Sequence, residues 1–194
     1  MDFLTILEWL ANAFYLVSVV LAAKNNINTW WTGIVGTLLF AILFFKVQLY
    51  ADVTLMLFYL GTSVYGWSYW RKGTVLAPIS QTRSNILALF TFGAVLTTLL
   101  YGVLLHIWTD AYAPFIDSAI LMFSVLAQLL LMRRRIETWV FWLLVDTIAV
   151  PLYFSRGLEL TAILYVGFWL NAVYGYWSWR RELLNQQKEI PTPV

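Results

Sequence analysis

Apolar residues dominate seven stretches of this chain, at about 3–23, 29–46, 49–70, 85–106, 114–132, 138–155 and 158–179. The segments between them, KNNIN, KVQ, RKGTVLAPISQTRS, HIWTDAYAP, RRRIE and SRG, hold the turn formers and most of the charge. A helix that crosses a bilayer needs roughly 20 mostly apolar residues, and all seven stretches are close to that length. No run alternates between apolar and polar as a membrane barrel strand would, and helices are then the only way to satisfy the backbone in lipid. The pattern predicts seven transmembrane α-helices.

Composition strengthens this reading. Hydrophobic residues make up 61% of the 194 and charged residues 11%, against about 25% charged in soluble domains. A soluble chain of this size could not bury that much apolar surface. There is no cysteine, which excludes disulfides, zinc–thiolate sites and thiol chemistry. The single histidine, His106, ends the fourth stretch with no ligand partner in sequence and reads as an interfacial residue. No phosphate-binding glycine loop, nucleophile elbow or zinc-protease motif occurs, so the chain offers no catalytic set, no metal site and no cofactor site. Nor is there a basic patch suited to nucleic acid. Asp2 stands where a cleavable signal would be positive, so the first stretch reads as a permanent span.

The net charge is only +2, but its placement is informative. With seven spans, ten basic residues fall on the side of the C-terminus: Lys24, Arg71, Lys72, Arg83, Arg133, Arg134, Arg135, Arg180, Arg181 and Lys188. Two, Lys46 and Arg156, fall on the other. The excess predicts a cytoplasmic C-terminus and an outside N-terminus.

The sequence also repeats. Residues 65–72 read YGWSYWRK and residues 174–181 read YGYWSWRR. A shift of 109 aligns residues 8–72 with 117–181 without a gap, with 14 of 65 positions identical. The shift matches Thr29 with Thr138, Trp30 with Trp139, Lys24 with Arg133 and Glu8 with Asp117. Each copy holds three helices and one helix lies between them. A single linker helix returns the chain across the bilayer, so the copies are parallel, a 3+1+3 arrangement of the kind that places a substrate site between two halves. The expected division is a first repeat at 1–84, a linker at 85–113 and a second repeat with a short tail at 114–194. Trp67, Trp70, Trp177 and Trp179 read as interfacial anchors ahead of basic pairs. Gly66 and Gly175 read as positions where helices approach closely.

Polar side chains inside spans are costly and usually face the bundle interior. Glu8, Asn12 and Tyr15 share a face of the first helix, and Asp117, Ser124 and Gln128 a face of the fifth. Glu8 and Asp117 lie near the outer ends, as a possible entrance or as groups that merely meet water. Asp146 falls mid-span with no basic residue inside a span to pair with it, at a cost of ~2.5–3.5 kcal/mol if unpaired. Trp142 is one turn before it. Asn171 is the second deep polar residue. The repeat partners of Asp146 and Asn171 are Thr37 and Thr62, which predicts a lopsided pocket with its polar groups in the C-terminal half. Tyr59, Tyr165 and Trp169 lie well inside their spans. A carboxylate among aromatic faces suits a flat cation. Pro151 should kink the sixth helix. The candidate site is therefore Asp146, Asn171, Trp142, Gln128, Trp169, Ser124, Tyr59 and Thr62.

The runs LYADVTLMLFYLGTSVYGWSYWRK and FIDSAILMFSVLAQLLLMRRRIETWVFWLLVDTIAVPLYFSRGLELTAILY, with YGYWSWRR, resemble the PnuC-type vitamin transporters over nearly the whole chain. The loop at 73–84 adds nothing to the likeness. The resemblance implies a bacterial inner-membrane homotrimer, not an enzyme. It implies facilitated diffusion of nicotinamide riboside, drawn inward by phosphorylation in the cytoplasm. Thiamine, another ring cation, is the alternative substrate in the same fold. A membrane channel or scaffold is the alternative class, disfavoured because bulky aromatics interrupt the polar positions.

Overall fold

A computed structural model describes residues 3–46, 48, 50–72, 75–110 and 112–188, so Asp2 and the last six residues lie outside it. The seven expected helices are α1 (Phe3–Ala23), α2 (Asn28–Lys46), α3 (Tyr50–Trp70), α4 (Ser84–Trp108), α5 (Pro114–Met132), α6 (Thr138–Ser155) and α7 (Glu159–Lys188). Five of them are long and apolar enough to cross a membrane on composition alone. The other two, α3 and α7, are the third helices of the two repeats, and their tyrosines, glycines and hydroxyl residues lower their hydropathy. Helix α5 starts on Pro114, whose fixed φ suits a first helical turn. Pro151 is held within α6, which continues to Ser155.

Helix α7 runs nine residues beyond the expected end at 179. Apart from Asn185, the added segment is made of good helix formers, Arg, Glu, Leu, Gln and Lys, and Leu183 is buried among the core tryptophans. A further departure follows α3. Two-residue strands β1 (Arg71–Lys72) and β2 (Val75–Leu76) pair antiparallel, and the chain then folds back over the end of the bundle. Ala77 and Ile79 are buried there. Ser80 exchanges backbone hydrogen bonds with Arg134 and Ile136, and Thr82 donates its N–H (2.8 Å) and hydroxyl (3.1 Å) to Glu137.

The repeat is visible in the packing. Within each copy α1 packs on α2 and α2 on α3, as α5 does on α6 and α6 on α7. Between copies α3 packs on α5 and α7 on α1, contacts that the 109-residue shift exchanges. Six helices thus close a ring, and the linker α4 lies against the outside of α5. The turns repeat bond for bond. Asn26 donates to the Leu21 carbonyl as Arg135 does to Leu130, and Thr29 to Asn26 as Thr138 does to Arg135. Asn25 and its counterpart Arg134 both have φ of 55°, while Gln48 and its counterpart Gly157 have φ of 62° and 71°.

Four tryptophans join the halves at the basic end of the ring. Trp70 and Trp179 are fully buried, which corrects the reading of both as interfacial anchors. Trp67 and Trp177 are exposed, at 38% and 59%. Ring centroids run from Trp30 to Trp70 (5.2 Å), Trp70 to Trp179 (5.6 Å) and Trp179 to Trp139 (5.5 Å), all edge to face. The Trp70 indole donates to the Leu131 carbonyl (3.2 Å), and the Trp179 indole to Ala22 (3.0 Å). Leu131 and Ala22 are repeat partners, so each third helix ties down the first helix of the other half.

Arg134 is buried beside this stack, with its guanidinium 4.7 Å over the Trp70 ring. It donates to the Ala77 carbonyl and to Asn25 Oδ1. Burial lowers the guanidinium to about 10, against the opposing pull of Glu182, so it stays cationic near neutral pH.

Gly66 and Gly175 permit close approach, but within a repeat: each faces the ring of Trp30 or Trp139 on the preceding helix. A Cβ at Gly175 would lie 2.7–2.8 Å from three Trp139 ring atoms. Gly66→Ala and Gly175→Ala are each expected to destabilise the fold by about 1–3 kcal/mol. Gly61→Ala and Gly167→Ala, where a Cβ meets open space, should leave stability unchanged or slightly raised. Thermal unfolding of the four variants in detergent separates these outcomes.

Candidate functional site

A cavity of about 160 Å³ lies inside the ring, lined by all six repeat helices and not by α4. Its lining follows helical spacing. From α1 come Tyr15, Ser18, Val19 and Ala22, and from α7 Tyr165, Phe168, Asn171 and Ala172. The pseudo-two-fold axis passes through it, because the lining falls into repeat pairs: Tyr15 with Ser124, Val19 with Gln128, Gly33 with Trp142, Thr37 with Asp146, Tyr59 with Phe168, and Ser63 with Ala172.

The cavity brings together six of the eight candidate residues: Asp146, Asn171, Trp142, Gln128, Ser124 and Tyr59. Thr62 lies just behind the wall, buried, and accepts a hydrogen bond from Gln128 Nε2 (3.3 Å). Asn171, its repeat partner, donates to the Val19 carbonyl (3.2 Å). Val19 and Gln128 are themselves partners, so the same cross-repeat contact is made twice with different groups. Trp169 does not line the cavity. It is 38% exposed on the outer face, where its indole donates to Thr147 (3.1 Å). The inward face of α7 is set by residues 165, 168 and 172, and position 169 lies about 100° round from 168.

Neither entrance residue reaches the cavity. Glu8 is exposed on α1, and Asn12 donates to its backbone carbonyl, so only Tyr15 of that stripe lines the space. Asp117 accepts from Arg156 at 2.6 Å, the single salt bridge among the described residues. Arg156 lies in the α6–α7 turn, and this hydrogen bond with Asp117 raises its guanidinium further. The sequence expectation had no partner for Asp117 because the two residues are 39 apart.

The lopsided pocket is also corrected. The C-terminal half has the more polar member at Thr37/Asp146 and Val19/Gln128, but Tyr15, Ser18, Tyr59 and Ser63 place hydroxyls on the opposite wall. Asp146 is 3% exposed and has no hydrogen bond or ion pair among the described residues. Among the described residues no Lys, Arg or His lines the cavity. Two further lining residues were not among the sequence candidates: Trp30 and Trp139, whose indole N–H groups are buried with no partner among the described residues. Their recurrence at the 109-residue shift is the sequence signal that marks them.

Among the described residues no group of acidic residues and histidine is arranged to hold a metal. The arrangement can enclose a flat organic molecule, offer it one carboxylate, and hydrogen-bond it from both halves.

Several known transporters share sequence with this chain, and one solved structure shares its fold. It is 25% identical over 193 residues to the nicotinamide riboside transporter PnuC of Escherichia coli K12, covering 84% of this chain and 80% of that one. It is 27% identical over 192 residues to the PnuC of Neisseria mucosa, covering 90% and 73%. It is 25% identical over 182 residues to the riboflavin/roseoflavin transporter RibM of Streptomyces davaonensis, covering 89% and 83%. The crystal structure of a vitamin B3 transporter PnuC superposes with a TM-score of 0.71 at 24% identity, over 93% of this chain and 83% of that one, and so shares its fold. The profile described as nicotinamide mononucleotide transporter matches residues 5–181, and the chain therefore belongs to that family of multi-pass bacterial membrane transporters, which are not enzymes.

Proposed function

We propose that this protein carries nicotinamide riboside into the cell by facilitated diffusion, through the cavity between its two halves. The observation that carries the reading is Asp146: among the described residues, a buried carboxyl without a partner, in an aromatic cavity with no basic residue in its lining. Such a group favours a cationic ring, held by charge and by aromatic faces such as Trp142. The family description and the relatives' names offer nicotinamide mononucleotide, nicotinamide riboside and the flavins, and charge separates them. Nicotinamide riboside has a pyridinium cation and no anion. Its mononucleotide adds a phosphate, for which the lining offers no countercharge. Riboflavin has no cation to meet Asp146. Thiamine is also a ring cation, but the riboside adds hydroxyls that suit the amide oxygens of Asn171 and Gln128 and the Ser124 hydroxyl.

Passive uptake is consistent with this chemistry. A membrane potential negative inside favours entry of one cation by ~2.3 kcal/mol per 100 mV. Phosphorylation in the cytoplasm then adds a negative charge that the cavity cannot neutralise, which traps the product. In this reading residues 1–84 and 114–194 are the two halves that move about the site, in a homotrimer of the inner membrane.

Binding to purified protein tests the site. Asp146→Asn, which keeps the shape and removes the charge, should weaken nicotinamide riboside binding at least about tenfold, a loss of roughly 1.4 kcal/mol. Thr37→Ala at the repeat partner should change it less than about twofold, or roughly 0.4 kcal/mol. Equal small effects from both changes, in variants that melt like the parent, would remove Asp146 from the site.

Proteoliposomes test the driving force. With voltage clamped at zero, labelled nicotinamide riboside should equilibrate saturably to equal concentrations, with or without sodium or proton gradients. Accumulation driven by either gradient alone would show coupling.

Orientation has its own check. A reporter active only in the cytoplasm should work when fused after Arg181 and stay silent when placed near Asp110. The reverse pattern would overturn an inside C-terminus.

A further inference from the structure

A second cavity, about 670 Å³, lies outside the ring in the angle between α4 and α5. It belongs to neither repeat pairing nor the transport site, because α4 has no counterpart in the repeat. Its existence follows from side-chain size. Gly93, Ala94 and Thr97 give α4 a low surface, and the Thr97 hydroxyl donates to the Gly93 carbonyl (2.8 Å), which leaves its methyl as the free surface. The opposite wall on α5 is apolar, with Met122, Val125 and Leu129.

One end of this groove is basic. Arg83 precedes α4, and Arg133 and Arg135 follow α5. Arg135 spends one nitrogen on the Gln81 carbonyl (2.8 Å). Arg83 and Arg133 are exposed and have no ion pair among the described residues. The N-cap position of α4 is Arg83 itself, with no side-chain cap; Asn85 Oδ1 takes the Ile86 N–H (2.9 Å), which leaves the first two N–H groups of the helix at this end.

We propose that this groove is a binding site for one anionic phospholipid, with its phosphate between Arg83, Arg133 and the start of α4, and one acyl chain along Gly93 and Thr97. Length favours a lipid over a helix from a second copy. From Arg83 to Thr97 the helix rises about 21 Å, close to a headgroup plus one leaflet of a hydrocarbon core roughly 30 Å thick. A packed transmembrane helix would need a groove across the full core. Charge favours an anionic headgroup, since basic pockets between spans on the cytoplasmic side bind such headgroups. The occupant would hold α4 against the second half while the ring works beside it.

The test uses the full-length protein in detergent, titrated with phosphatidylglycerol or phosphatidylcholine of matched chains and followed by native mass spectrometry and thermal unfolding. Phosphatidylglycerol should bind about tenfold more tightly than phosphatidylcholine. The double change Arg83→Gln, Arg133→Gln should bring the two lipids to parity. The same change at Arg180 and Arg181 should leave the preference intact. Thr97→Leu, which fills the groove without touching charge, should weaken both lipids. If the double variant does not fold, Arg133→Gln alone should halve the preference or more.

Equal binding of both lipids by the parent, or a preference insensitive to Arg83 and Arg133, would overturn the site. Displacement by millimolar inorganic phosphate would mark a free-anion site instead. Because the chain lacks cysteine, Thr97→Cys gives a clean further arm. Efficient disulfide dimers in lipid would show that a second copy covers the groove and would also overturn the proposal.

Discussion

Everything in this fold depends on how two helix ends are held where they meet across the pseudo-two-fold axis. The last carbonyls of a helix have no intrahelical donor, and within a bundle no bulk water replaces it. Here the Ala22 and Leu131 carbonyls each accept a turn N–H, from Asn25 and Arg134, and use their second lone pair for an indole N–H from the third helix of the other repeat. The donors, Trp70 and Trp179, then stack edge to face on each other. The two halves are joined through their most buried aromatic pair, and the six-helix ring and its cavity lie beyond that junction.

Symmetry of the frame and asymmetry of the side chains have different jobs. Turn bonds, positive-φ positions and crossed indole contacts recur at the 109-residue shift because they close the ring, and either half needs them equally. The lining pairs diverge because the ring encloses a single molecule-sized space, and a ligand without two-fold symmetry meets each wall differently. Thr37 opposes Asp146 and Gly33 opposes Trp142. Arg134 and Asn25 show the same divergence at the junction. As repeat partners they occupy the same backbone conformation, yet they bond to each other, which a pair of arginines could not do.

The segment after α3 completes the basic end. Residues 77–82 carry no hydrophobic periodicity, and nothing local favours their path. They are fixed by partners more than 50 residues away: Ser80 by the backbone of Arg134 and Ile136, and Thr82 by Glu137. With Ala77 and Ile79 buried beneath, the strap covers the junction and takes one of the donors of Arg134.

The sequence by itself determined the membrane class, seven helices, the parallel repeat and the deep carboxyl. Each of these rests on local hydropathy, on fixed helical geometry or on self-alignment. Six of eight candidate residues face the cavity because polarity inside a span is expensive enough to mark an inward face. Tertiary structure alone decided the rest. Trp169 and Trp70 are both tryptophans on third helices, and composition treats them alike. Rotation about the axis puts Trp169 outside, and a cross-repeat carbonyl makes Trp70 the junction. Asp117 looked like a free entrance carboxylate until folding brought Arg156 to it from 39 residues away. Such outcomes depend on which helix becomes whose neighbour, and periodicity along one chain reports the face a helix buries but not the partner it buries it against.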